Sequence, residues 1–361
     1  MSFTKTTWFV VLALTVAACS SSGPSPANTG TGGSDAGSGG SGSGGQGTGG
    51  AAPDAGSGGA MDASGGASGT GGAVTDAAAT DTSSADAGSD AAASYTRFTC
   101  PPGPYPAQQA SNMMNVCTNF KYNYAYNEGP TWIASQNAFF FSNFVQGDTS
   151  PNKSAGDIIK YTLGGNCEVW LHDVGCNGLG VSSKGNLLGA CHGPRAVMEY
   201  DVVTKKGTML ATMAGGQMLD APNDLISHSN GTIYFSNTTY ELGGRPQGLG
   251  FALVMISPAG MTTVIQKGNL NGMALSPDEK TLYVVGMGVW TLDNNGIPTM
   301  KTNQAGPNGD GIAMDCAGHI INPNNQYGTN AAFGGPDGKT LIAVGGGTSA
   351  KIMQMTVPGF P

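Results

Sequence analysis

A unit of about forty-five residues recurs through the last two-thirds of this chain, and it limits the possible folds more than any other feature. EGPTWIASQNAFFFSN begins at Glu128, CNGLGVSSKGNLLGAC at Cys176, PNDLISHSNGTIYFSN at Pro222, NGMALSPDEKTLYVVG at Asn271 and GDGIAMDCAGHIIN at Gly309. Each copy opens on a polar residue beside Gly, Pro or Asp, runs through an apolar stretch, turns, and returns on a second apolar strand. With Glu128, Asn177, Asn223, Asn271 and Asp310 as markers, the spacings are 49, 46, 48 and 39 residues. A period in the forties with about four strands per unit is that of a β-propeller blade. TNAAFGGPDGKTLIAV, from Thr329, supplies a sixth unit. No segment holds a helical period, whereas 232–236, 253–256 and 281–285 alternate as strands do. The expectation is an all-β, six-bladed β-propeller.

Two irregularities qualify it. Ring closure requires an outer strand from elsewhere in the chain, and residues 119–126 are the expected donor to the last blade. Between Asp310 and Thr329 there is less than half a blade, so the fifth blade is expected to be short of its outer two strands.

Composition divides the chain. Of 60 Gly, 22 fall in residues 20–94, which also carry seven Asp and no Lys, Arg, Glu or aromatic residue. Such a segment cannot bury enough apolar surface to offset the entropy of ordering it and is expected to be a disordered tether, with a reach on the order of 50 Å. Residues 95–361 hold 16 acids and 14 bases, so the formal charge of -8 belongs mostly to the tether. A near-neutral folded part excludes a nucleic-acid binder, which needs a basic face. At the N-terminus, Trp8 to Val16 is an apolar run too short for a permanent membrane span, and it ends in Val16-Ala17-Ala18-Cys19. Small residues before a Cys resemble the lipobox of bacterial lipoproteins, with residues 1–19 as signal peptide and lipobox and Cys19 as the lipidated residue; the alternative is an ordinary signal peptide with Cys19 incidental. Ser20 after that Cys favours the outer membrane of a Gram-negative bacterium over retention at the inner one.

The EGP, PND, NG and DG motifs in this order, with CHGPRAV after the second and FGGPDGKTL near the end, resemble the gluconolactonase, regucalcin, senescence marker protein and luciferin-regenerating-enzyme-like family. The resemblance covers residues 127–359. It implies that Glu128, Asn271 and Asp310 match the family's metal ligands and that Asn223 matches its additional channel Asn, which contacts substrate or metal-bound water. In a propeller the residue before each innermost strand faces the axis, so Asn177 joins the same ring as a substrate-binding candidate. Two carboxylates and amide oxygens suit a hard divalent cation, Ca²⁺ first, with Zn²⁺, Mn²⁺ or Mg²⁺ also admitted. The implied activity is hydrolysis of sugar-type or related lactones, the metal polarising the carbonyl and Asp310 handling proton transfer. The competing reading is a non-catalytic surface propeller that binds a carbohydrate or protein partner. His192, in CHGPRAV, either orients substrate at the channel mouth or packs; His172, His228 and His319 are read as structural. The chain is expected to be a monomer.

Six cysteines lie beyond Cys19. An even count in an exported protein points to disulfides: Cys100 with Cys117, since both lie in the irregular segment before the first blade where a staple helps most, and Cys167 with Cys176 on proximity; a zinc site is the alternative. The family's usual Asp at the end of the second strand is Asn here, at Asn143 and Asn237.

Overall fold

The computed structural model describes residues 95–146, 155–324, 327–345 and 347–360; the expected signal peptide, Cys19 and the tether at 1–94 lie outside them. The described residues form six antiparallel sheets arranged as the blades of a propeller, with no α-helix among them, as the repeat requires.

Blade 1 consists of Tyr126–Ile133, Ala138–Phe144, Gly156–Thr162 and Cys167–Leu171. Blade 2 follows with Cys176–Val181, Leu187–Cys191, Ala196–Tyr200 and Gly207–Ala211. Blade 3 takes Ala221–Ser227, Ile233–Thr238, Ala252–Ile256 and Thr262–Lys267. Blade 4 is built from Met273–Leu275, Thr281–Val284, Gly288–Leu292 and Pro298–Lys301. In each, chain order is sheet order.

The second strand of a blade explains the core. Because neighbouring blades cover both of its faces, it is apolar without alternation, and successive side chains point into opposite interfaces. Phe140 packs with Leu179 and Leu187 of blade 2, while Phe139 and Phe141 pack with Ile342 and Val344 of blade 6. Leu188 turns toward Phe235 and Val254 of blade 3, and Tyr234 toward Leu275 and Leu282 of blade 4. Ala274 and Val285 meet Ile312 and Met314 of blade 5, and Ala313 meets Phe333 and Leu341 of blade 6. Six apolar clusters thus fill six interfaces. Each large side chain buried in them contributes about 1.5–3 kcal/mol relative to exposure.

Blade 6 contains Asn330–Gly334, Thr340–Gly345 and Ser349–Met355, and its fourth strand is Ala110–Asn115, paired antiparallel with Ser349–Met355. The ring therefore closes as expected in kind, but with a strand upstream of 119–126. The aromatic residues of 119–126 serve burial instead: Phe120 and Tyr122 pack on the interface of blades 1 and 6, and Tyr126 opens the innermost strand of blade 1. An outermost strand faces solvent and needs no apolar pattern, so the actual one, with Met113 56% and Met114 55% exposed, leaves little trace in the sequence.

Blade 5 is short, as the spacing indicates. It has Ala313–Asp315 and Ile320–Ile321, and the C-terminal Gly359–Phe360 pairs with the free edge of Ala313–Asp315. Buried Gln108 ties this arrangement together: its Nε2 donates to Asp315 Oδ2 at 3.1 Å and to the Val357 carbonyl at 3.0 Å, and its Oε1 accepts from Val357 N at 2.9 Å. Nearby, Arg97 lies 5.2 Å from the Phe360 ring centroid and 3.5 Å from Glu279.

The disulfides correct the pairing expected from proximity. They are Cys100–Cys316, Cys117–Cys167 and Cys176–Cys191, not Cys100 with Cys117 or Cys167 with Cys176. The reason is topological: the segment before blade 1 runs along the blades that close the ring, so Cys100 meets blade 5 and Cys117 meets the outer strand of blade 1, while Cys176 and Cys191 face each other across adjacent strands. With all six paired, no thiolate among the described residues remains for zinc.

Candidate functional site

Four of the five markers are followed by Gly, and the geometry shows why. A Cβ on Gly129, at φ +52°, would lie 2.4 Å from the Asn177 carbonyl oxygen; one on Gly178 would lie 2.6 Å from the Asn223 carbonyl oxygen; one on Gly272 would lie 2.6 Å from the Asp310 carbonyl oxygen. Each blade's marker backbone is thus pressed against the next, and only Gly allows that approach. This close ring turns the markers inward. Glu128, Asn177, Asn223, Asn271 and Asp310, from five blades, line one cavity of about 410 Å³.

The walls add residues that the sequence pattern did not single out. Tyr126 and Gln146 come from blade 1, and Tyr240 and Glu241 from the loop after Ile233–Thr238. Glu241 is buried, and its Oε2 has no hydrogen-bond partner. Its place in a loop, outside the repeated strand pair, hid it; the only available signal was a Glu within a Gly-rich turn. His192 does not line the cavity. It is buried behind the cavity wall, its ring 5.2 Å from that of Phe144. His172, His228 and His319 each sit beside a carboxylate, of Asp157, Glu279 and Asp315 respectively, away from the ring of markers.

Electrostatically the site is crowded with acid. Burial pushes the Glu128 carboxyl up, and the Asp310 charge pushes it further, against hydrogen bonds from Thr329 and from its own neighbour Gly129 N at 2.8 Å. Asp310 is raised by burial, opposed by Asn271. Glu241 is pushed up to about 7 by burial and by Asp310, opposed by Asn223. Beneath the ring, Asp224 is pushed up to about 7 by burial, opposed by the N–H of Leu225 and the amide of Asn330. Among the described residues no Lys, Arg or His lines the cavity. Among the described residues no three His, Cys, Asp or Glu form a metal-binding group by themselves, so any cation site here mixes carboxylates with amides. That donor set fits a hard divalent cation: all oxygen, with desolvated carboxyls whose ionisation lacks a compensating positive charge.

The structure also accounts for Asn143 and Asn237. Asn143 Nδ2 donates to the carbonyls of Tyr124 at 3.0 Å and Tyr126 at 3.2 Å and to Asn127 Oδ1, while its Oδ1 accepts from Tyr124 N. Asn237 Nδ2 donates to the Gly250 carbonyl at 2.6 Å, and its Oδ1 accepts from Asp220 N. Both must donate and accept, which an ionised Asp cannot do.

Residues 126–323 match the family described as the SMP-30/Gluconolactonase/LRE-like region. A gluconolactonase from Zymomonas mobilis subsp. mobilis is 29% identical in an alignment 198 positions long that covers 49% of this chain. The alignment spans only 55% of the length of that relative. Among solved structures, one assigned to the gluconolactonases by a structural-genomics programme superposes with a TM-score of 0.57 at 20% identity, covering 71% of this chain and 96% of the other. A gluconolactonase from Xanthomonas campestris gives 0.56 at 19% identity, covering 73% and 98%. Those two likenesses concern the fold. The sequence match extends from the first residue of blade 1 through the shortened blade 5, and the chain belongs to the SMP-30/gluconolactonase/LRE-like family.

Proposed function

We propose that this protein hydrolyses sugar-type or related lactones with a divalent cation held by Glu128, Asn271 and Asp310, Ca²⁺ being the preferred ion. One observation carries the reading: markers from five blades, widely separated in sequence, converge on a single polar cavity with buried carboxyls and no basic residue. A bound cation would supply charge stabilisation for the carbonyl oxygen of the lactone as it becomes an oxyanion. The remaining work falls to side chains. Asp310, as a carboxylate, accepts a proton from water as the water oxygen bonds to the carbonyl carbon. When the ring C–O bond breaks, the same carboxyl returns the proton to the departing alkoxide, and the product is an open hydroxy acid. Asn223 and Asn177, which line the cavity, would hydrogen-bond substrate oxygens, and Glu241 Oε2 would accept from a substrate hydroxyl. His192, behind Phe144, supports that wall without reaching substrate.

Three disulfides in the domain favour an oxidising compartment. With the lipobox-like run before Cys19, they support export and lipid anchoring at Cys19, on the outer membrane of a Gram-negative cell. Loss of fatty-acid labelling in Cys19→Ala tests the anchor.

The activity is tested by assaying the protein on a panel of sugar and aliphatic lactones with Ca²⁺, Zn²⁺, Mn²⁺, Mg²⁺ or chelator, beside Glu128→Gln and Asp310→Asn. We expect cation-dependent turnover in the wild type and a loss of about 100-fold or more in each variant. Turnover that ignores chelator, or variants equal to the wild type, would defeat the proposal and leave the non-catalytic binding propeller as the better reading.

A further inference from the structure

Blade 6 contributes no residue to the cavity lining, yet it continues the ring of markers. Gly272 N donates to the Asp310 carbonyl at 3.1 Å, and Gly311 N donates in the same manner to the Thr329 carbonyl at 2.9 Å. Thr329 therefore holds in blade 6 the place that Asp310 holds in blade 5, and Asn330 holds the place of the following Gly. Both side chains act on carboxylates of other blades. Thr329 Oγ1 donates to Glu128 Oε1, the oxygen that Gly129 N leaves free. Each Glu128 oxygen thus has one fixed donor and keeps lone-pair capacity for another partner. Thr329 is itself fixed, since its N–H donates to the Val344 carbonyl at 2.8 Å.

Asn330 reaches from blade 6 to the opposite side of the ring. Its Oδ1 accepts from Ala331 N at 2.8 Å, which turns Nδ2 toward Asp224 Oδ2 at 3.2 Å. Asp224 is the one non-Gly residue following a marker in blades 1 to 5, and its carboxylate fills the axis between Gly178 and Gly272. The two residues that break the Gly rule, Asp224 and Asn330, are hydrogen-bonded to each other and form the floor below Asn177, Asn223 and Asn271.

We propose that Thr329 and Asn330 are positioning residues for divalent-cation binding, Thr329 orienting the Glu128 carboxylate and Asn330 locking Asp224 against Gly272, the residue that follows the amide ligand Asn271. This rests on the cation-dependent reading of the site. Groups that orient metal ligands without touching the metal typically change affinity 10–100-fold when removed.

Calorimetric titration of the metal-free protein with Ca²⁺, Mg²⁺, Mn²⁺ and Zn²⁺ tests it, with melting temperatures measured in chelator alongside. Thr329→Val, which keeps shape and loses the hydroxyl, is expected to bind the preferred cation 10–100-fold more weakly, Thr329→Ser within about threefold of wild type, and Asn330→Ala about tenfold more weakly. The metal-free melting temperature of Thr329→Val should stay near that of wild type. Equal affinity in Thr329→Val and wild type overturns the inference. So does an equal loss in Thr329→Ser and Thr329→Val, because a packing role would not be rescued by the shorter hydroxyl. If the wild-type protein binds none of the four cations, the cation reading itself fails, and that result is separable because it is read before any variant.

Discussion

At the scale of single residues, the site depends on which positions forbid a side chain and which require one. Gly129, Gly178 and Gly272 forbid it because the adjacent blade's backbone occupies the Cβ position. Asn143 and Asn237 require an amide because backbone groups on both sides need opposite partners. Asn143→Asp, nearly isosteric, would leave the carbonyls of Tyr124 and Tyr126 without a donor and bury a charge. A loss of about 3 kcal/mol in urea unfolding is expected, against less than about 1 kcal/mol for an exposed change such as Lys121→Gln. The sequence displayed these Asn residues at repeated positions but not the carbonyls they serve, since those lie 13–19 residues away.

At the scale of elements, blade 5 shows how a propeller tolerates a missing half-blade. Its two short strands are held by the C-terminal strand on one edge, by Gln108, and by the Cys100–Cys316 bridge. The three disulfides span 216, 50 and 15 residues, and loop-closure entropy ranks their contributions at about 5, 4 and 3 kcal/mol. Double Ser variants should therefore lower the denaturant midpoint most for Cys100/Cys316 and least for Cys176/Cys191. An inverted order would show that native contacts, rather than chain entropy, dominate these links. Strand existence was legible wherever a strand is buried on both faces, as at Phe139 to Phe141. The closing strand Ala110–Asn115 was not legible, because its exposure frees it from any pattern.

At the scale of the whole molecule, the buried carboxyls couple stability to pH and, on the proposed function, to cations. Asp224 and Glu241 ordinarily titrate near 3.8 and 4.5 but near 7 in the fold. The folded state then binds more protons than the unfolded state between those values, so metal-free stability is highest below about pH 4 and falls as pH rises toward 7. Glu128 and Asp310 are shifted the same way. Thermal melts in chelator from pH 5 to pH 8 should show this decline, at most about 1.4 kcal/mol per unit for each group, and Glu241→Gln should flatten it. Added Ca²⁺ should restore stability most at the upper end, where the ligands are ionised. A melting temperature that rises with pH in chelator would contradict these shifts.

The architecture and the ring of markers were legible in the residues alone, because a repeat of buried strands leaves a periodic apolar record and because each blade presents its marker at the same point of that period. Glu128, Asn177, Asn223, Asn271 and Asp310 could therefore be placed together before any coordinates. The closing strand, the cysteine partners, the packing of His192 on Phe144, and the presence of Glu241, Thr329 and Asn330 around the acids emerge from the folded ring. These depend on which exposed segment lies beside which blade and on contacts across the axis, between residues up to 249 positions apart. Local pattern does not encode distances of that kind; they are set when the ring closes.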